Sequence, residues 1–177
     1  MAKMKFEELN FTDKWLKFMG KPCKPFKMMV HGQPGGGKTV FLLKFAQYLA
    51  LNFGKVLYVS SEEYATPTLS KKLNDFNITA PGLHFCKDIT GINFSDYQFV
   101  FVDSISPSHI AISAKDFQDL KATAPTTSFI LILQSNKDGN FKGDKDWEHE
   151  VDIVAVVSDR VATITKNRYG KYGKYQR

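Results

Sequence analysis

Along the chain, apolar residues collect in short, nearly unbroken runs that alternate with longer stretches in which they recur every third or fourth position. Runs at residues 26–30, 56–59, 83–86, 99–102 and 129–133 read as five buried strands, because four or five apolar positions without polar alternation suit a strand covered on both faces. After the first run, Val40, Phe41, Leu42, Leu43, Phe45, Ala46, Leu49 and Ala50 recur at helical spacing, and that helix stops near Asn52 and Gly54. Leu69, Leu73 and Phe76 behind Pro67 predict a second, short helix, and residues 114–122, between Ser113 and Pro125, a third. Ahead of the first strand, Phe11, Trp15, Phe18 and Met19 share one face of a helix ended by Gly20-Lys21-Pro22. That aromatic face either packs on its own sheet or docks on a neighbouring subunit. Residues 151–157 and 161–165 flank Ser158-Asp159-Arg160 and read as a hairpin. Residues 135–148 are polar and predict a mobile loop. The alternation predicts an α/β fold with a mostly parallel central sheet, helices on both faces and a C-terminal antiparallel hairpin. The segments are an N-terminal helical segment at 1–25, a core at 26–168 and a basic, Tyr-rich tail at 169–177.

Composition changes this picture little. With 177 residues, 43% hydrophobic and 24% charged, the chain suits one soluble domain. No apolar stretch reaches the length of a membrane span or a signal peptide, so the cytoplasm is the expected location and no membrane contact is expected. Cys23 and Cys86 are too few for a disulfide framework or a zinc site and are expected reduced. His31, His84, His109 and His149 lack ligand spacing. Charge is more informative. Residues 1–27 carry a net +4 and residues 165–177 a net +5, within a total of +6, so two basic ends enclose a mildly acidic middle. Basic ends suit a polyanionic partner, or else simply keep the chain soluble.

The chemistry begins at Gly32-Gln33-Pro34-Gly35-Gly36-Gly37-Lys38-Thr39, which spells G-x-x-x-x-G-K-T between a strand and a helix headed by Val40. Glycines there let backbone N–H groups converge on phosphate oxygens, and the helix N-terminus adds positive potential. Lys38 is placed to reach the β- and γ-phosphates of a nucleoside triphosphate, and Thr39 to bind Mg²⁺. Asp103 closes the fourth strand at the edge where parallel sheets bind ligands, fit for a metal shell or for capping a helix. Glu62, after the second strand, suits a general base, with adjacent Glu63 as its competitor. Gln134 closes the fifth strand, where it either contacts the γ-phosphate or the lytic water, or bonds to backbone. Asn136-Lys137 begins a guanine-reading N-K-x-D, but Gly139 stands in its fourth place, which argues against a GTPase. The only arginines, Arg160, Arg168 and Arg177, come too late for a kinase lid.

In order, the phosphate loop, Leu57-Tyr58-Val59-Ser60-Ser61-Glu62-Glu63, Val102-Asp103-Ser104-Ile105, Asn136-Lys137-Asp138-Gly139, Glu148-His149-Glu150-Val151-Asp152 and Lys166-Asn167-Arg168-Tyr169-Gly170 resemble the RecA-like P-loop ATPases. The set is most similar to the RadA (Sms) branch near the DnaB-type helicases, whose K-N-R-F-G signature appears here with Tyr169 in place of Phe. The resemblance runs from about residue 26 to 170. It implies ATP and Mg²⁺ as ligands, Glu62 as catalytic glutamate, Asp103 as metal-associated aspartate and Gln134 as phosphate sensor, where RadA commonly has His. It further implies that Lys166 and Arg168 reach the ATP of the next subunit in a ring or filament, and that residues 104–112 and 135–148 face DNA, single-stranded by expectation. The sequence contains neither RadA's zinc module nor its protease-like domain, which implies a minimal motor core. Two other functions fit the same residues: a regulatory ATPase with a protein client, and a weakly hydrolysing assembly module. Tyr169, Tyr172 and Tyr175, interleaved with Lys171, Lys174 and Arg177, read either as a base-stacking, phosphate-binding tail or as a soluble extension.

Overall fold

A computed structural model describes residues 6–135 and 145–176. Asn136-Lys137-Asp138-Gly139, Lys142 and Asp144 of the central loop, together with Lys3, Lys5 and Arg177, lie outside the described residues.

In chain order the elements are β1 (Glu7–Glu8), α1 (Asp13–Met19), β2 (Cys23–Lys24), β3 (Lys27–Gly32), α2 (Lys38–Asn52), β4 (Val56–Ser60), α3 (Pro67–Asp75) and β5 (Leu83–Cys86). They continue with β6 (Phe99–Ile105), α4 (Ala114–Thr123), β7 (Ser128–Gln134), α5 (Asp146–Glu150), β8 (Ile153–Ser158), β9 (Val161–Asn167) and β10 (Lys174–Gln176). The main sheet has eight strands in the order β10-β9-β8-β3-β7-β6-β4-β5. The six from β8 to β5 are parallel, and β9 and β10 add an antiparallel edge.

Each central strand is apolar throughout because both faces are covered, so alternate residues enter two different cores. Met28 and Val30 face the first core and Met29 the second; Phe99 and Phe101 face the first, Val100 and Val102 the second. The first core lies under α1 and α2, through Trp15, Phe18, Phe41 and Phe45, and the second under α4 and α5, through Phe117 and Trp147. The helix ends obey local rules. Thr66 caps α3 with Pro67 next to it, and Ser113 and Asp116 form a reciprocal capping box on α4.

Three details depart from the sequence expectation, and a fourth decides between two readings that it left open. Strand β6 runs two residues beyond Asp103, to Ile105, with a register irregularity against β7 at that point. Residues 146–148, expected in a mobile loop, start a short helix instead, because Trp147 is buried against Phe117. The tail is no loose extension: residues 174–176 form β10, and Tyr175 stacks on Trp15 with ring centroids 4.4 Å apart. Helix α1 spends its aromatic face within the chain, with Trp15 also 4.7 Å from Phe45 of α2. Helix α1 and strand β10 therefore close onto the same side of the core. Cys23 and Cys86 are free. No helix of the described residues is long and apolar enough to cross a membrane.

Candidate nucleotide site

Parallel strands place their C-terminal tips along one edge of the sheet, and the phosphate loop leaves the tip of β3 at its centre. Backbone shape is forced there. Gly37, the residue before α2, has φ +94°, a region costly for any residue with a Cβ. A Cβ built on Gly32 would lie 2.2 Å from the Val157 carbonyl oxygen of β8, so only glycine fits. The β8–β9 turn rests on the loop from above: Asp159 and Arg160 both have positive φ, as a tight two-residue hairpin requires, and Arg160 N–H donates to the Gly36 carbonyl at 3.0 Å.

Beside the loop is a cavity of about 330 Å³ whose walls include Lys38, Thr39, Glu62, Asp103, Ser104 and Gln134. Pro34, Gly35, Gly37, Val40, Glu63 and Lys72 complete the lining. On the other side, Gly32, Gln33 and Gly36 line a second hollow with Ser135 and the tip of β8. Lys38 Nζ donates to the carbonyls of Gly32 at 2.7 Å and Gln33 at 2.9 Å. Burial lowers its pKa, while Asp103 and Glu62 oppose that shift.

Asp103 is the most perturbed acid. Burial pushes its pKa up to about 6, against a Tyr58 hydroxyl that donates to Oδ2 at 2.8 Å and pulls the other way. Nearby Glu63 and Glu62 push it up further, and Lys38 pulls it down. A carboxylate whose charge is disfavoured by its surroundings is a poor ion by itself and a good ligand for a cation. The two glutamates separate cleanly. Lys72 of α3 grips Glu63 through both carboxylate oxygens, at 2.5 and 2.8 Å. The Glu62 side chain is 61% exposed, with His109 Nε2 3.7 Å away.

The residues present fit a magnesium nucleotide by three observations. Glycines hold open a cradle that a Cβ would fill, Asp103 is a desolvated oxygen donor, and the buried Ser104 Oγ on the cavity wall has no hydrogen-bond partner among the described residues. An orphaned hydroxyl in such a place is one that a ligand can satisfy.

Two expected site residues stand elsewhere within this chain. Lys166 and Arg168 sit at the far end of β9, beside the start of β8, at the sheet edge opposite the phosphate loop. Lys166 Nζ donates to the carbonyls of Glu148 and Val151, and Arg168 pairs with Asp152 at 2.9 Å and reaches the His149 carbonyl. They do not approach the cavity of their own subunit. Conversely, sequence reasoning gave no site role to Ser104, Lys72, Tyr58 or Arg160. Only Ser104 carried a signal, its place directly after Asp103; the others depend on contacts between distant elements.

No protein-family model matches the chain. It is similar to the DNA repair protein RadA of Campylobacter jejuni, 28% identical over 167 residues and 81% of this chain, and to RadA of Bacillus subtilis, 26% identical over 175 residues and 85%. The chain spans 37% and 38% of the length of these two relatives. Among solved structures, the flagellar accessory protein FlaH from Methanocaldococcus jannaschii superposes with a TM-score of 0.70 at 15% identity, covering 97% of this chain and 92% of that one. A second solved structure, of an ATPase domain, gives 0.60 at 15% identity, covering 85% and 80%. Those two likenesses speak for the fold; the RadA likeness adds sequence. With the phosphate loop lying where the fold puts it, the chain has the fold of RecA-like P-loop ATPase domains and a sequence similar to part of RadA.

Proposed function

We propose that this core binds ATP with magnesium, hydrolyses it, and couples hydrolysis to work on single-stranded DNA as a homo-oligomer. The observation that carries the reading is the convergence of Lys38, Thr39, Glu62, Asp103, Ser104 and Gln134, from separate strand tips, on one cavity at a helix N-terminus.

Loop amides from Gly35 to Thr39 and the start of α2 face the phosphates. Lys38 exchanges its two carbonyl partners for β- and γ-phosphate oxygens. Thr39 and Asp103 would hold a magnesium ion, which would neutralise phosphate charge. Glu62, the carboxylate not tied to a lysine, orients water and takes its proton as oxygen joins the γ-phosphorus and the bond to ADP breaks. Gln134 contacts the same phosphate from the tip of β7, beside the connection to α5. Lys166 and Arg168, turned away from their own site, complete the site of the next subunit and stabilise transition-state charge there. The DNA partner rests on the likeness to RadA, a DNA repair protein, and on the basic termini.

Turnover measured with and without a single-stranded oligonucleotide tests the reading. Lys38→Ala should lose ATP binding or hydrolysis, and Glu62→Gln should bind ATP without hydrolysing it. Undiminished turnover in the Lys38 variant would remove the site. A second reading, a regulatory ATPase with a protein client, is favoured by the apolar groove of Tyr64, Pro67, Leu69, Leu73 and Phe85 just past Glu63. Turnover indifferent to DNA would favour it, and negligible turnover would favour an assembly module.

A further inference from the structure

Described parts of the two basic ends, α1 and residues 171–174, distant in sequence, form one surface. The segment 171–174 crosses directly over the end of α1: Gly173 N–H donates to the Phe18 carbonyl at 3.0 Å, and a Cβ at Gly173 would lie 2.1 Å from the Lys17 carbonyl oxygen. Gly20 stands against Lys171, where an added Cβ would come within 3.0 Å of the Lys171 Cβ. Asn167, buried, ties the crossing together by donating to the carbonyls of both Met19 and Lys171. Lys14 lies over the ring of Tyr175, its Nζ 5.9 Å from the centroid. The result is a rigid face carrying Lys14, Lys17, Lys21, Lys171 and Lys174, all exposed, with Asp13 the one acid on α1.

The tyrosines divide their work on this scaffold. Tyr175 is buried and Tyr169 half-buried, whereas Tyr172 is 60% exposed in the midst of the lysines. A solvated, merely solubilising surface gives no reason for a large aromatic ring at its centre, held on a backbone pinned by main-chain hydrogen bonds. Cations that track phosphates around one aromatic platform suit an unpaired base, which a duplex would not offer. We propose that the face formed by α1 and residues 171–174 binds single-stranded nucleic acid, with Tyr172 stacking a base and the five lysines contacting flanking phosphates. It deepens the DNA-directed half of the proposed function, and it places a contact on the outer end of the fold, away from the nucleotide cavity.

The test measures anisotropy of a labelled 30-nucleotide oligo-dT with the full chain, without ATP, across a salt series. Lys17→Gln/Lys171→Gln/Lys174→Gln should weaken binding at least tenfold at 100 mM salt and flatten the log–log salt slope by about 2, since each lost phosphate contact contributes about 0.7. Tyr172→Ala should weaken binding about fivefold or more and leave the slope unchanged. Both variants alter exposed side chains, and unchanged melting temperature and ATP affinity verify that the fold is intact. Wild-type affinity and slope in the triple-lysine variant would overturn the proposal. So would a preference for duplex of the same length, an unaffected Tyr172→Ala variant, or binding to vesicles of anionic lipid in place of the oligonucleotide. Failure here is separable from failure of the ATPase reading: variants that keep DNA-stimulated turnover sink the face alone, and a chain that binds oligo-dT without hydrolysing ATP sinks only the motor.

Discussion

Asp103 shows how a single side chain can work against stability. Its pKa rises to about 6 in the folded chain from an ordinary value of 3.8, mainly because burial disfavours the charged form. Between those two values the folded state holds more protons than the unfolded state, so stability falls as pH rises from about 4 to about 6 and then levels off. Two pKa units correspond to about 2–3 kcal/mol, all of it present as a cost at pH 7. Asp103→Asn keeps an acceptor for the Tyr58 hydroxyl while removing the buried charge. The ligand-free variant should therefore melt higher than wild type at pH 7, and should lose that advantage at pH 4. Magnesium–ATP should raise the melting temperature of wild type and much less that of the variant. Equal melting temperatures at pH 7 would show that the carboxylate is well solvated. Lys72 makes the complementary case. It neutralises Glu63 on the wall of the cavity proposed to take a nucleotide. Lys72→Met should weaken ATP binding about tenfold by freeing a third carboxylate, and Lys72→Met/Glu63→Gln should restore it. Titration with a fluorescent ATP analogue reads both, and a double variant as weak as the single one would mean that Lys72 touches the nucleotide itself.

At the scale of elements, the strands from β3 to β7 and the phosphate loop were legible because their signals are local. An apolar run of five residues between turn residues has few other uses, and the glycines, Lys38 and Thr39 must be adjacent to work at all. Shorter elements escaped for the same reason. β10 is three residues long, and its one buried side chain, Tyr175, belongs to a Tyr spacing of three that conceals strand alternation. α5 covers five residues, four of them charged or histidine, and only burial of Trp147 identifies it. Glu62 and Asp103 were readable as strand-tip acids, but the choice between Glu62 and Glu63 depends on Lys72 from a separate helix. If β10 belongs to the fold, Tyr175→Ala should cost about 2–3 kcal/mol in urea unfolding, through lost burial and lost stacking on Trp15. Tyr172→Ala, at an exposed position of the same segment, should cost almost nothing. Equal effects for the two would return residues 169–177 to the status of a loose tail.

For the whole molecule, the proposed ATPase reading calls for a cation from outside the subunit, and its candidate, Arg168, stands at the sheet edge opposite the phosphate loop. Arg168 is oriented by Asp152 but remains about half exposed, available at a surface. If it serves the neighbouring subunit, Arg168→Ala should leave ATP affinity unchanged and reduce kcat by a hundredfold or more, within the range known for such arginines. Asp152→Asn controls for the broken ion pair, because it removes the partner and keeps the guanidinium; it should lose much less activity. The decisive measurement mixes two dead proteins. In a one-to-one mixture of Arg168→Ala and Glu62→Gln, an interface works when the site comes from the first and the arginine from the second. Random assembly gives such interfaces roughly a quarter of the time, so turnover should recover to about a quarter of wild type. An arginine acting within its own subunit would give no recovery at any ratio, and a purely structural Arg168 would lower the melting temperature together with kcat.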